Sequence, residues 1–216
     1  MERRTSLTIA AALLALTISS PIARAQDAQP GPTWSQDDTV RIIKDVQKKL
    51  GGLTNYAVFD WITFGIHGKT LVLQGYASRP ILKSDAESAV KGIPGIDSVD
   101  NQIEVLPLSS NDDRVRAAVY NRIFTATTLR KYNANAGRLG RGLSVARMAG
   151  GITNDPPLGY HAIHIIVKNG NVTLYGAVLN SSDVAYAGMQ ANTAPGAFSI
   201  TNDLVVEGST SKPAAK

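Results

Sequence analysis

The 216-residue chain contains no cysteine. That excludes disulfides, thiolate metal sites, a cysteine nucleophile and the lipid anchor that bacterial lipoproteins carry on a Cys at their cleavage point. Histidine is scarce: of the three present, only His161 and His164 lie close together. Side chains three apart on one strand point to opposite faces, so this pair is not expected to chelate an ion, and His67 falls in an expected turn. Charge is nearly balanced. The formal net of +5 becomes about +3 without the first 25 residues, too weak a bias for a nucleic-acid binder. No second long apolar run follows the N-terminal one. A phosphate-cradling G-x-x-x-x-G-K-[ST] is also absent, since Gly137, Gly140, Gly142 and the pair Gly150-Gly151 share only its composition. Without a converging set of catalytic groups, neither an enzyme nor a cofactor nor a metal is expected.

Residues 1–25 have the three parts of a secretory signal: Arg3-Arg4, an apolar run from Leu7 to Ile18, and Ala23-Arg24-Ala25 as a small-x-small site. The run is far short of the roughly 20 apolar residues that a spanning helix needs. Cleavage after Ala25 and a periplasmic destination, or secretion, are therefore expected. Polar segments at 26–35 and 208–216 read as flexible tails, with Trp34 expected to pin the first of them to the body of the protein.

A repeat at an offset of 101 residues organises the rest. Gly68-Lys69-Thr70-Leu71-Val72-Leu73-Gln74-Gly75 aligns with Asn169-Gly170-Asn171-Val172-Thr173-Leu174-Tyr175-Gly176. Pro94-Gly95 then falls on Pro195-Gly196, Asn101 on Asn202, Ile103 on Leu204 and Val105 on Val206. Two copies are too few for a solenoid, which needs at least about three units, so compact modules in tandem are expected.

Within each copy, alternating apolar residues define a hairpin: Ile62, Phe64 and Ile66 then Leu71 and Leu73, and Ile163, Ile165 and Val167 then Val172 and Leu174. Gly75 and Gly176 interrupt the inward series, which suits a helix crossing close by or a bend in the backbone. A side chain at Gly176 should overpack, at about 1–3 kcal/mol. A helix with start signals at Ser78-Pro80 or Asn180 to Asp183 follows and stops at the Pro-Gly pair containing Gly95 or Gly196. A third strand closes the unit. A helix also precedes each hairpin, with Val40, Ile43, Val46 or Gln47 and Leu50 at helical spacing, echoed by Val115, Ala118, Val119 and Ile123. Asp37-Asp38 and Asp112-Asp113 precede these helices as expected caps. The fold class is α+β: two αββαβ modules, at 36–107 and 108–207, each a three-stranded mixed sheet with two helices on one face.

The second copy carries about 26 additional residues between about 125 and 157. They include Arg130, Lys131, Arg138, Arg141 and Arg147 against a single Asp155, with apolar side chains such as Leu139 and Leu143 interleaved. A solvated loop is one reading, and a contact surface for an anionic partner is the other.

The apolar-x-apolar-x-Gly strand end, with a Pro-Gly-apolar turn before Asn-x-apolar-x-Val, occurs in both copies and resembles the BON domain family. The run from Ile163 to Leu174 is the most similar stretch. The resemblance implies a non-enzymatic envelope protein that binds phospholipid surfaces or other proteins, in osmotic stress or in maturation of outer-membrane proteins. Two functions are thus in view. One is docking on anionic membrane through Arg130, Lys131, Arg138, Leu139, Arg141, Leu143 and Arg147. The other is a protein-binding, chaperone-like role that uses a groove between modules or an exposed sheet edge.

Overall fold

Three helices begin where a side chain can satisfy a free backbone N–H of the first turn. The hydroxyls of Ser35 and Ser109 and the side-chain oxygen of Asn180 accept from the amides of Asp38, Asp112 and Asp183. A fourth helix starts with Pro80, whose missing N–H costs nothing at that position. In a computed structural model that describes residues 34–133 and 161–208, these starts open α1 (Gln36–Gly51), α2 (Pro80–Lys91), α3 (Ser110–Thr125) and α4 (Ser181–Asn192). The strands are β1 (Trp61–His67), β2 (Thr70–Ala77), β3 (Ser98–Asn101), β4 (Glu104–Val105), β5 (Ile163–Lys168), β6 (Asn171–Val178) and β7 (Ser199–Val206). Residues 1–25, and with them the expected leader, lie outside the described residues.

The order is αββαβ twice, as expected. In each module the middle strand pairs antiparallel with the strand before it and parallel with the one after the helix, giving β1-β2-β3 and β5-β6-β7. The third strand of the first module is interrupted at Gln102-Ile103, so β4 also pairs with β2. The tight turn of the second hairpin places Asn169 at φ 52° and Gly170 at 77°, the positive pair that a two-residue connection requires.

Ile42, Val46 and Leu50 of α1 and Leu82, Ala86 and Val90 of α2 bury one core with Leu71, Leu73 and Ile103. Val40, expected on the inner face of α1, is half exposed. From the helix start at Gln36, the stripe that meets the sheet runs through Ile42 at spacings of four and leaves Val40 on the outer side. Trp34 does pin the chain to the first module: its indole N–H donates to the carbonyl of Gly95 at 2.5 Å and its ring packs on this core.

The repeated asparagines do the same work in both copies. Asn101 donates to the carbonyl of Lys83, and Asn202 to that of Val184, at 2.9 and 2.8 Å. Each side-chain oxygen accepts from the amide two residues on. They tie the third strand to the helix before it. This explains why the motif holds an asparagine between two apolar positions.

The acidic pairs diverge. Asp38 reinforces the start of α1 through Ser35 and Arg41. Asp112, expected as a cap, is instead buried with its carboxylate accepting from the amides of Asn169 and Gly170, so it holds the hairpin turn. Beside it, buried Arg116 pairs with Asp113 at 2.7 Å and donates to the carbonyl of Val167.

Candidate functional site

Between α1 and β1 the chain passes through Ala57, Val58, Phe59 and Asp60, all fully buried. Val58 and Phe59 belong to the core of the second module, where Phe59 meets Tyr120 edge-on at 6.3 Å. The Val58 carbonyl accepts from the amide of Ile165 at 2.8 Å. An edge of the second sheet that the sequence left open for a partner strand is thus engaged by the chain's own first copy. This burial also accounts for β5 being covered on both faces, where alternation predicted one inner face.

Asp60 stabilises that passage. Its carboxylate accepts from the amides of Ala57 and Ser78 at 2.8 and 2.6 Å, and burial raises its pKa above the ordinary value. One repeat later the residue is His161, and the amide of Leu179, equivalent to that of Ser78, is taken by the Tyr132 hydroxyl at 2.9 Å. The same hydroxyl donates to Asp183 at 2.5 Å, and Lys131 places its ammonium 2.8 Å from that carboxylate. Both contacts hold Asp183 below its usual pKa, and the carboxylate raises that of Lys131. The short 3-10 turn Arg130–Tyr132 is thereby fastened to the start of α4.

Of the expected contact residues, Lys131 is partly exposed and paired, and Arg130 is exposed. Arg138, Leu139, Arg141, Leu143 and Arg147 lie outside the described residues. The structure brings together a different set, on the faces of the two sheets opposite the inward apolar series. Trp61 stacks on Tyr175, with centroids 5.5 Å apart and rings 3° from parallel, and Tyr76 lies on the other side of Tyr175 at 6.3 Å. His164 meets Tyr56 and Trp61 at 5.3 and 5.2 Å. None of these aromatic residues stood out in the sequence, because their partners are a full repeat away. Lys168 and Glu104 add an ion pair at 2.6 Å, half exposed and of little energetic weight.

His161 and His164 do approach each other, with rings 6.5 Å apart. The parity argument that separated them assumed one continuous strand, but β5 begins at Ile163 and His161 precedes it. Among the described residues no group of three His, Cys, Asp or Glu side chains is placed to hold a metal. Burial pushes the His164 imidazole down to about 4, and nearby His161 adds to the shift, while the carbonyls of Asp60, Ala57 and His161 oppose it. The folded state therefore binds fewer protons than the unfolded chain between about pH 4 and pH 6.5, and stability falls as pH is lowered through that window. Between pH 7 and pH 4.5 the protein should lose about 2 kcal/mol that a His164→Met variant does not lose. Urea denaturation at both pH values measures the difference, and parallel losses would show that His164 does not titrate in this way.

Beside the aromatic cluster, a cleft of about 730 Å³ opens between the modules. The C-terminal end of α1, with Leu50, and β1, with Trp61, Ile62, Thr63 and Phe64, form one wall. His161, His164, Ala177, Asp203 and Val205 line the other. Trp61 and Tyr175, set by their stack, and the buried Phe59 fix the walls relative to one another.

This geometry defines two αββαβ modules, each with its own core, joined where Val58 and Phe59 of the first are buried in the core of the second. Residues 65–107 and 148–208, one segment in each module, match the BON domain model. No curated protein matches it significantly in sequence. Among solved structures it is similar to CdsD, a structural protein of the type III secretion system of Chlamydia trachomatis, at 15% identity over 77% of this chain and 92% of the other, with a TM-score of 0.25. The C-terminal domain of CdsD gives 14% identity over 77% and 98%, also at 0.25.

Proposed function

We propose that the chain is an exported, non-enzymatic envelope protein that docks on anionic phospholipid surfaces through its second module, in envelope maintenance or osmotic stress. The carrying observation is the anchor at Lys131 and Tyr132. It fastens to α4 the start of a stretch whose sequence adds Arg138, Arg141 and Arg147 with Leu139 and Leu143 between them. The leader-like residues 1–25 and the two BON segments support the same reading.

Each Lys or Arg near an anionic surface contributes about 1 kcal/mol. The four cations other than Lys131, whose ammonium is occupied by Asp183, give about 4 kcal/mol, a dissociation constant of about 1 mM, so stable docking also draws on apolar insertion or on several copies acting together. Replacing Arg138, Arg141 and Arg147 by Ser should weaken vesicle binding about a hundredfold and flatten its salt dependence. Flotation with vesicles of graded anionic content, at low and high salt, measures both. Equal binding by the variant, or no binding by the wild type at low salt, removes the lipid reading and leaves a protein-binding, chaperone-like module as the better one.

A further inference from the structure

We infer that the cleft between the modules is a binding site for a single-chain amphiphile whose head is an ammonium group. None of its described lining residues belongs to the basic stretch, and the inference does not depend on surface docking.

The volume of about 730 Å³ falls within the range of about 300–1,000 Å³ typical of small-molecule sites, and such sites are mostly apolar with a few placed polar groups. Leu50, Ile62, Phe64 and Val205 offer the hydrocarbon surface. The head group is specified by charge. Among the described residues Asp203 is the one carboxylate in the lining, and neither Lys nor Arg contributes to it. His164 adds no compensating positive charge near neutrality, since burial depresses its pKa.

Asp203 also shares the lining of the cleft with the rings of Trp61 and Tyr56. It is the cross-strand partner of Tyr175, whose ring carries Trp61 stacked upon it, and Tyr56 lines the same cleft. A carboxylate beside Trp and Tyr rings is the combination that recognises an ammonium, through direct charge and through attraction to the ring quadrupole. An anionic head would meet Asp203 with no cation among the described lining residues to offset it. The site would therefore reject the lipids that the basic stretch attracts.

The purified protein is titrated by calorimetry with dodecyltrimethylammonium, dodecyl maltoside and dodecyl sulfate, each below its micelle concentration. The expected result is saturable one-to-one binding of the ammonium compound, at least about tenfold tighter than the sulfate. Asp203 is exposed on β7, so Asp203→Asn should fold normally and reduce that preference about fivefold or more, with the maltoside bound as before. Ala177 is exposed on β6, and Ala177→Phe should fill the cleft and weaken binding of all three at least about tenfold, with an unchanged urea midpoint as the folding control. The Arg138, Arg141 and Arg147 triple variant should bind the amphiphile like wild type, which separates this site from vesicle docking. Absence of saturable binding, full affinity in Ala177→Phe, or an undiminished ammonium preference in Asp203→Asn each overturns the assignment.

Discussion

Replacing Phe59 by alanine should destabilise the protein by about 3–5 kcal/mol, and the loss should appear in both modules at once. The residue belongs to the first copy by sequence, on the passage between α1 and β1. Its side chain is fully buried in the second module's core, beside Tyr120, and the preceding carbonyl holds the amide of Ile165. Truncation leaves a ring-sized void among rigid neighbours, which can relax only in part. Modules without mutual contacts would unfold separately, whereas here unfolding of the second exposes Val58 and Phe59 of the first. Both tryptophans, Trp34 and Trp61, lie in the first copy and report on it, while far-UV circular dichroism reports on the whole. In urea the two signals should move together to a lower midpoint. A tryptophan transition that keeps its wild-type midpoint while the dichroism splits in two would show that Phe59 does not couple the modules.

That coupling marks the limit of what the repeat revealed. A period of 101 residues and the alternation in each hairpin were enough to place the strands and helices, because those signals are local and occur twice. Contacts made by one copy with the other leave no periodic trace. Nothing near Val58 and Phe59 in sequence shows that they meet β5, about 100 residues on. The same holds for the stack of Trp61 on Tyr175 and for the cleft beside it. A signal was nonetheless available in β5 itself. Ile163 to Val167 includes Ile166 on the supposedly outer face, and an apolar residue there indicates a strand covered on both sides.

The aligned copies also show how one structural need is met by different chemistry. In the first, the Asp60 carboxylate receives the Ser78 amide. In the second, His161 stands in the place of Asp60, and the Tyr132 hydroxyl comes from the inserted stretch to receive the Leu179 amide. An insertion that supplies a bond the module requires is part of the fold at its start, whatever its remaining residues contact. Lys131 is therefore a poorer test of surface docking than the arginines beyond it: its substitution would also disturb the packing around buried Asp183.

The largest single-site backbone effect is expected at Gly176, where both alanine and valine should cost about 3–5 kcal/mol. Two observations combine. The residue has φ +126°, in a region that only glycine adopts without strain, and a Cβ built on it would lie 2.0 Å from the carbonyl oxygen of Ala162. The sequence suggested a crossing helix or a bend, with overpacking as the penalty. The obstacle is instead the backbone at Ala162, just before β5, which has no rotamer to change. Conformational strain of about 1–3 kcal/mol therefore adds to a steric cost of similar size. Because the clash begins at Cβ, Gly176→Ala should be nearly as harmful as Gly176→Val, whereas overpacking in a core would scale with side-chain volume. Gly75, at φ +117° and 2.0 Å from the Trp61 carbonyl oxygen, should behave alike. Gly65 is the control, since a Cβ there meets nothing within 4 Å, and Gly65→Ala should change stability by no more than about 0.5 kcal/mol. Urea midpoints for these variants decide the matter. A Gly176→Ala variant as stable as Gly65→Ala would show that the strand can withdraw from the added carbon, and a large gap between the alanine and valine variants would restore overpacking as the cause.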